Sequence, residues 1–187
     1  MKIALIVIGI LVLIVLGVFG WAMGERNALV IEQQAVKAQW AQVDVALQRR
    51  ADLIPNLVQT VKGYAKQEVT VFTNIANARA ALGGAQTPQQ KMQANGQLDS
   101  ALSRLLVIVE NYPQLKSDRN FQELQFELAG TENRIAIERR KYNEAVQEYN
   151  KDIQLFPRNI IAGMFGYQPE TYFQTEAGAR TAPKVEF

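Results

Sequence analysis

The side chains best able to do chemistry in this sequence are concentrated in two runs. Arg49-Arg50-Ala51-Asp52-Leu53-Ile54-Pro55-Asn56-Leu57-Val58 packs charge around a proline, and Tyr142-Asn143 recurs one heptad later as Tyr149-Asn150. Tyrosines at that spacing share a helix face, where each can pack its ring and hydrogen-bond its tip. Asn beside a helix seam fixes register through its amide. Read structurally, these runs align helices and pair Arg49, Arg50 or Arg139 with Asp44, Asp52 or Glu138. Read functionally, Arg49, Arg50, Asp52, Asn56, Tyr142, Asn143, Tyr149 and Asn150 form a recognition patch for a partner.

Composition removes much of the rest of chemistry. The chain contains no cysteine and no histidine, so it has no disulfide frame, thiolate nucleophile, Ser-His-Asp triad or zinc site of nitrogen and sulfur ligands. The Glu-x-x-His pairs of di-iron bundles are absent for the same reason. Gly83-Gly84 leads into Ala85-Gln86-Thr87-Pro88 rather than a phosphate-binding loop. Catalysis would have to use carboxylates such as Asp44, Asp52, Glu68 or Glu138, and no pair among them stands out. We therefore expect no enzyme, and no catalytic, cofactor-binding or metal-binding residue is assigned. Beyond Lys2, 19 basic residues face 18 acidic ones, a balance that offers nucleic acid no electrostatic footprint.

The elements that must position these residues begin with an uncharged apolar run, Ile3 to Met23, closed by Glu25 and Arg26. About 20 apolar residues cross a bilayer core, whereas a signal-peptide core spans about 7 to 15. Ile3, Leu11, Leu16 and Met23 are accordingly assigned to a retained, single-pass anchor in contact with membrane lipid. Lys2 against Arg26 and Lys37 is too small an asymmetry to choose the side on which the remainder sits.

Beyond the anchor the apolar period is helical. Val36, Trp40, Val43 and Leu47 share a face, predicting one helix from Lys2 to about Gln48. A second is expected from Asp52, as N-cap with Pro55 in the first turn, to a left-handed cap at Gly83-Gly84. Its stripe of Leu57, Val61, Tyr64, Val71, Ile75, Ala78 and Leu82 is interrupted by Glu68. Thr87-Pro88-Gln89-Gln90 reads as a capping box opening a third helix with Leu98, Leu102, Leu105 and Val109 inward. The fourth, from about Arg119 to Leu155 with Ser117 or Asp118 as cap, carries Phe121, Leu124, Leu128, Thr131, Ile135, Tyr142, Ala145, Tyr149 and Ile153, with Glu138 also facing inward. Phe156-Pro157 stops it.

The expected fold is all-α: an antiparallel four-helix bundle continuous with an N-terminal transmembrane helix and followed by an irregular apolar tail. The corresponding domains are 1–24 for the anchor, 25–156 for the bundle and 157–187 for the tail. Up-down topology returns the end of the fourth helix towards the bilayer. Ile160, Ile161, Met164 and Phe165 are therefore candidates for an interfacial or intersubunit contact, against the alternative that they fold back on the bundle's base.

Trp40-Ala41-Gln42-Val43-Asp44-Val45-Ala46-Leu47, the Arg49 to Val58 run and Val61-Lys62-Gly63-Tyr64 resemble the signature of the LemA family. Asn111-Tyr112-Pro113-Gln114-Leu115-Lys116, Thr131-Glu132-Asn133-Arg134-Ile135-Ala136, the Tyr-Asn repeat and Phe156-Pro157 match its second half. The resemblance implies a bacterial membrane protein with one amino-terminal span and a four-helix bundle, and no established catalysis. Lys66-Gln67-Glu68 departs from relatives that often carry His before this glutamate. The function expected is a membrane-anchored helical scaffold assembling as a homo-oligomer. The alternative is an accessory or adaptor recruiting a membrane protein partner, for which the resemblance suggests a membrane zinc protease.

Overall fold

The heptad that sets the fold runs through Val43, Leu47, Arg50, Ile54, Leu57 and Val61 in alternating steps of 4 and 3, keeping one face inward for several turns. In the computed structural model, which describes residues 2–174, this face lies on α1, a single helix spanning Lys2–Tyr64. It is followed by α2 (Val69–Gly84), α3 (Pro88–Val109), the one-turn α4 (Pro113–Lys116), α5 (Arg119–Asp152) and α6 (Arg158–Phe165). The described residues contain no strand.

The first interhelical corner therefore lies at Ala65–Glu68, and Asp52 is an interior helix residue rather than an N-cap. Pro55 does not end α1. A proline in this setting deprives the carbonyl four residues earlier of its partner and costs about 3 kcal/mol. Here that carbonyl, Ala51 O, accepts instead from Arg79 Nε of α2 at 2.9 Å. Glu68, the residue that interrupts the apolar stripe, is where α2 begins: its carbonyl accepts from the backbone of Val71 and Phe72.

Side-chain links fix the helix directions within this part of the chain. Lys62 lies over the Phe72 ring while Ala51 meets Arg79, so α1 and α2 are antiparallel. Tyr64 reaches Asp118, Arg49 reaches Glu127, and Trp40 stacks edge-on against Tyr142, so α5 returns along α1. The core unites Ile54, Leu57 and Val61 of α1, Phe72 and Ile75 of α2, Leu98 and Leu105 of α3, and Phe121 of α5. Leu57, Leu98 and Leu105 are essentially inaccessible, a burial that stabilises by roughly 2 kcal/mol for each side chain.

Local signals at the helix ends are mostly as the sequence predicts. Thr87 Oγ1 accepts from Gln90 N, and Gln90 Oε1 accepts from Thr87 N, both at 3.2 Å, completing the capping box. Asp118, not Ser117, caps α5 by accepting from Phe121 N at 3.0 Å. Gly83 and Gly84, however, form no left-handed cap: α2 runs through both, and Ala85 is extended. The Gln86 side chain donates to the Gly84 carbonyl and so removes the need for one. The positive φ occurs at Gly166, which ends α6; Gly166 N and Tyr167 N both donate to Ala162 O.

Packing divides the described residues into two units, 2–39 with Asn143–Tyr172, and Trp40–Tyr142 with Phe173 and Gln174. α1 and α5 contribute to both. The first unit contains the apolar run, whose mean hydropathy reaches 3.2 and none of whose residues is buried. Its own core is Leu29, Val36, Val146, Tyr149, Ile153, Ile161 and Ala162. The expected tail is thus helical at its start, as α6, rather than irregular throughout.

Candidate functional site

In the first unit, four charged side chains converge just beyond the apolar run. Glu25, Leu29, Glu32 and Val36 follow one another at heptad spacing on α1, so both carboxylates share the face that carries Leu29 and Val36. Arg158, the first residue of α6, donates from Nε to Glu25 at 2.8 Å and from Nη1 to Glu32 at 3.0 Å, and also pairs with Asp152 of α5. One guanidinium therefore serves three carboxylates. Burial and the neighbouring Asp152 carboxylate push Glu32 above the ordinary glutamate range, while Arg158 opposes them. The hydrogen bond to Glu25 leads the effects that raise Arg158 further. Glu32 Oε2 is buried without a partner.

A second cluster, in the other unit, forms around Arg50. This side chain occupies an inward heptad position and is 8% exposed. Its Nη1 lies 2.5 Å from Asp99, 2.7 Å from Glu132 and 3.5 Å from the Asn95 side-chain oxygen. Asn95 in turn donates to Asp99 at 3.0 Å. Arg50 Nε finds no acceptor. The guanidinium ties α1 to α3 and α5, which makes a structural contact of a residue expected to recognise a partner.

The pairings expected from sequence are replaced throughout. Arg49 meets Glu127 at 3.2 Å on the surface. Asp44 pairs with Lys91, and Asp52 accepts from Gln48 at 2.8 Å. Glu138 is 1% exposed and is held by Arg134 and Lys141 of its own helix. Arg139 lies over the Phe173 ring, 5.2 Å from its centroid. Asn56 is exposed and its carbonyl accepts from Thr60.

The Tyr-Asn repeat divides its work between the two units. Tyr142 is buried and packs its ring 5.3 Å from Trp40 at 66°; Asn143 is half-buried and also engaged. Tyr149 donates to Gln168 O at 3.1 Å. Asn150 both donates to Glu170 O and accepts from Glu170 N, each at 2.8 Å. Burial, with Glu170 second, raises the Tyr149 phenol above its usual value and keeps it a neutral donor.

Among the anchor residues, Ile3, Leu11 and Leu16 are each more than half exposed, and Met23 is half-buried. The tail residues separate: Ile161 is buried with Ala162, whereas Ile160, Met164 and Phe165 face outward. Sequence reasoning missed Glu25, Glu32, Asp152 and Arg158. Two carboxylates at heptad spacing with Leu29 and Val36 were the available signal. It also missed an apolar recess of about 500 Å³ lined by Leu57, Leu102, Leu106, Phe126 and Leu128, with Arg50 and Glu132 also on its wall. Phe126 is 81% exposed. Among the described residues, no group of three or more His, Cys, Asp or Glu side chains is placed to hold a metal ion.

Residues 39–187 match the sequence model of the LemA family. Magnetosome protein MamQ 2 of Paramagnetospirillum magneticum is 28% identical over 181 residues, covering 83% of this chain and 66% of that protein. Magnetosome protein MamQ of Magnetospirillum gryphiswaldense is 25% identical with the same coverage. Protein LemA of Metamycoplasma hominis is 23% identical over 152 residues, covering 80% of this chain and 69% of the relative. The chain thus spans just under two thirds of the length of the magnetosome relatives, and none of the three is named as an enzyme. With its long apolar first helix and a family match over most of its length, this chain is a membrane-associated member of the LemA family.

Proposed function

We propose that the protein is a single-pass, membrane-anchored helical scaffold that assembles as a homo-oligomer and performs no catalysis. The observation that carries this reading is the recess beside Phe126. A ring left 81% exposed next to an apolar hollow of about 500 Å³ gives one surface both a projection and a cavity. Two copies related by a two-fold axis can satisfy both at once. Leu106, on the wall of the recess, is itself 43% exposed, and contiguous exposed apolar area marks interaction sites. Mass photometry of detergent-extracted protein tests the reading. Oligomers that Phe126→Ser returns to monomers support it, and a monomer at every concentration overturns it.

A second reading, an adaptor recruiting a membrane protein partner such as a membrane zinc protease, draws support from a different surface. Asn56, Gln59, Thr60, Asn120, Glu123 and Glu127 line a polar recess of about 370 Å³. Photocrosslinking from position 56 in native membranes separates the two: a distinct membrane protein favours the adaptor, and self-crosslinks alone favour the scaffold.

A further inference from the structure

We infer that α6 is an interfacial helix, lying in the headgroup layer at the end of the membrane span through Phe156, Ile160 and Met164. Phe156 lies in the turn that leads into α6, and Ile160 and Met164, about one helical turn apart, share a face of it. They are 80%, 53% and 74% exposed, although the helix has already buried its opposite side through Ile161 and Ala162. An eight-residue helix is too short to hold its shape by local bonds alone. α6 is held by the left-handed Gly166 at its end and by Arg158 at its start.

The occupant follows from where that clasp is attached. Arg158 grips Glu25 and Glu32, and Arg26 lies over the Phe165 ring at 5.2 Å. Glu25 is two residues beyond Met23, so α6 docks on α1 within the first turns after the apolar run. α6 is thus attached to α1 next to the end of the segment that enters lipid. Amphipathic helices in such positions bury their apolar face about 5–10 Å into the headgroup and acyl boundary. Charge adds little attraction: Arg158 is consumed by three carboxylates, Lys151 pairs with Glu148 and Asp152, and Arg26 is occupied by the Phe165 ring. Docking on lipid is accordingly apolar, indifferent to anionic headgroups and to salt. This inference rests on membrane attachment and adds a second lipid contact to it.

The chain has no cysteine, so single thiols can be placed by Ile10→Cys, Val107→Cys, Ile160→Cys and Met164→Cys in the full chain. All four sites are exposed, and circular dichroism verifies that helix content is kept. Each variant is labelled with an environment-sensitive fluorophore and reconstituted into phosphatidylcholine vesicles carrying a nitroxide either near the headgroup or at the acyl-chain end. The expected result is blue-shifted emission at 160 and 164, quenched best by the headgroup nitroxide. Position 10 should be quenched by the deep nitroxide and position 107 by neither. Quenching at 10 with water-like emission at 160 and 164 overturns the interfacial helix while leaving the anchor intact. Blue-shifted emission at 160 and 164 without quenching by either nitroxide also overturns it, assigning this face to a second copy. Absence of quenching at 10 removes membrane attachment itself and the inference with it.

Discussion

Arg50 and Arg158 are each ringed by acidic groups, but water reaches opposite members of the two clusters. Around Arg50 the cation is the dry partner: its side chain is 10% exposed, against 41% for Asp99 and 52% for Glu132. Around Arg158 the carboxylates are the drier members, at 24%, 22% and 14%, against 29% for the arginine. Breaking a buried pair is costly mainly because it leaves a charge where water cannot solvate it. The same chemical pairing should therefore fail by opposite routes, through loss of the anions at Arg50 and through loss of the cation at Arg158.

The most severe test is Arg158→Met, which keeps an apolar stem and leaves three carboxylates facing one another. We expect a loss of about 3 kcal/mol at neutral pH, read as faster hydrogen exchange in α6 and the end of α5. Glu32 sets the pH dependence. Its folded-state pKa is raised, so the folded state binds a proton more readily than the unfolded state, and acidification through the raised value relieves repulsion. The defect of Arg158→Met should shrink as pH falls towards the ordinary glutamate range; a pH-independent defect would show that repulsion is not its cause.

Next in size is Asp99→Asn with Glu132→Gln, which strands the Arg50 charge and should cost about 2 kcal/mol in denaturant unfolding. Either single substitution leaves one carboxylate in place and should cost less than half as much. Equal losses at Arg50→Met and at the double variant would mean that the dry cation carries no special cost.

Arg79 supplies a control in which the acceptor is a neutral carbonyl. Arg79→Met should cost about 1 kcal/mol, because Ala51 O is then left without a donor. Pro55→Ala restores a backbone N–H to that carbonyl, so the Arg79 substitution should lose most of its effect in that background. Additive losses in the double-mutant cycle would break this assignment.

The smallest expected change is at Glu32→Gln. Removing one of three carboxylates from around a single arginine lowers repulsion and costs one charge-assisted bond, so unfolding should move by less than about 1 kcal/mol. A loss as large as that of Arg158→Met would mean that Glu32 is the essential partner of Arg158.

The all-α class, the apolar first helix, the capping box at Thr87 and the inward stripe of α5 were legible because each is local or periodic. The corner after the first helix was misplaced for an equally specific reason. Asp52 and Pro55 carry strong helix-start signals, and the residue that neutralises the proline, Arg79, lies 28 positions away from the carbonyl it serves. The better signal was the apolar period itself, which continues through Arg50 and fails at Glu68. At the Arg158 cluster the partners Glu25 and Arg158 are separated by 133 positions. No local pattern joins them, so the sequence displays the carboxylates' shared face without the cation that makes it a site.

Asn150 has a consequence for which sequences this fold can accept. Its amide meets the N–H and C=O of Glu170 at once, the same two groups that a neighbouring β-strand would engage, so it recognises main chain and is blind to the side chain. Tyr149 does likewise through Gln168 O. The tolerance of the two partners should therefore be lopsided. Position 170 should accept nearly any residue except proline, which lacks the N–H, whereas Asn150→Asp surrenders the donor, and Asn150→Leu surrenders both bonds. The information that closes this segment is written almost entirely on one side of the contact.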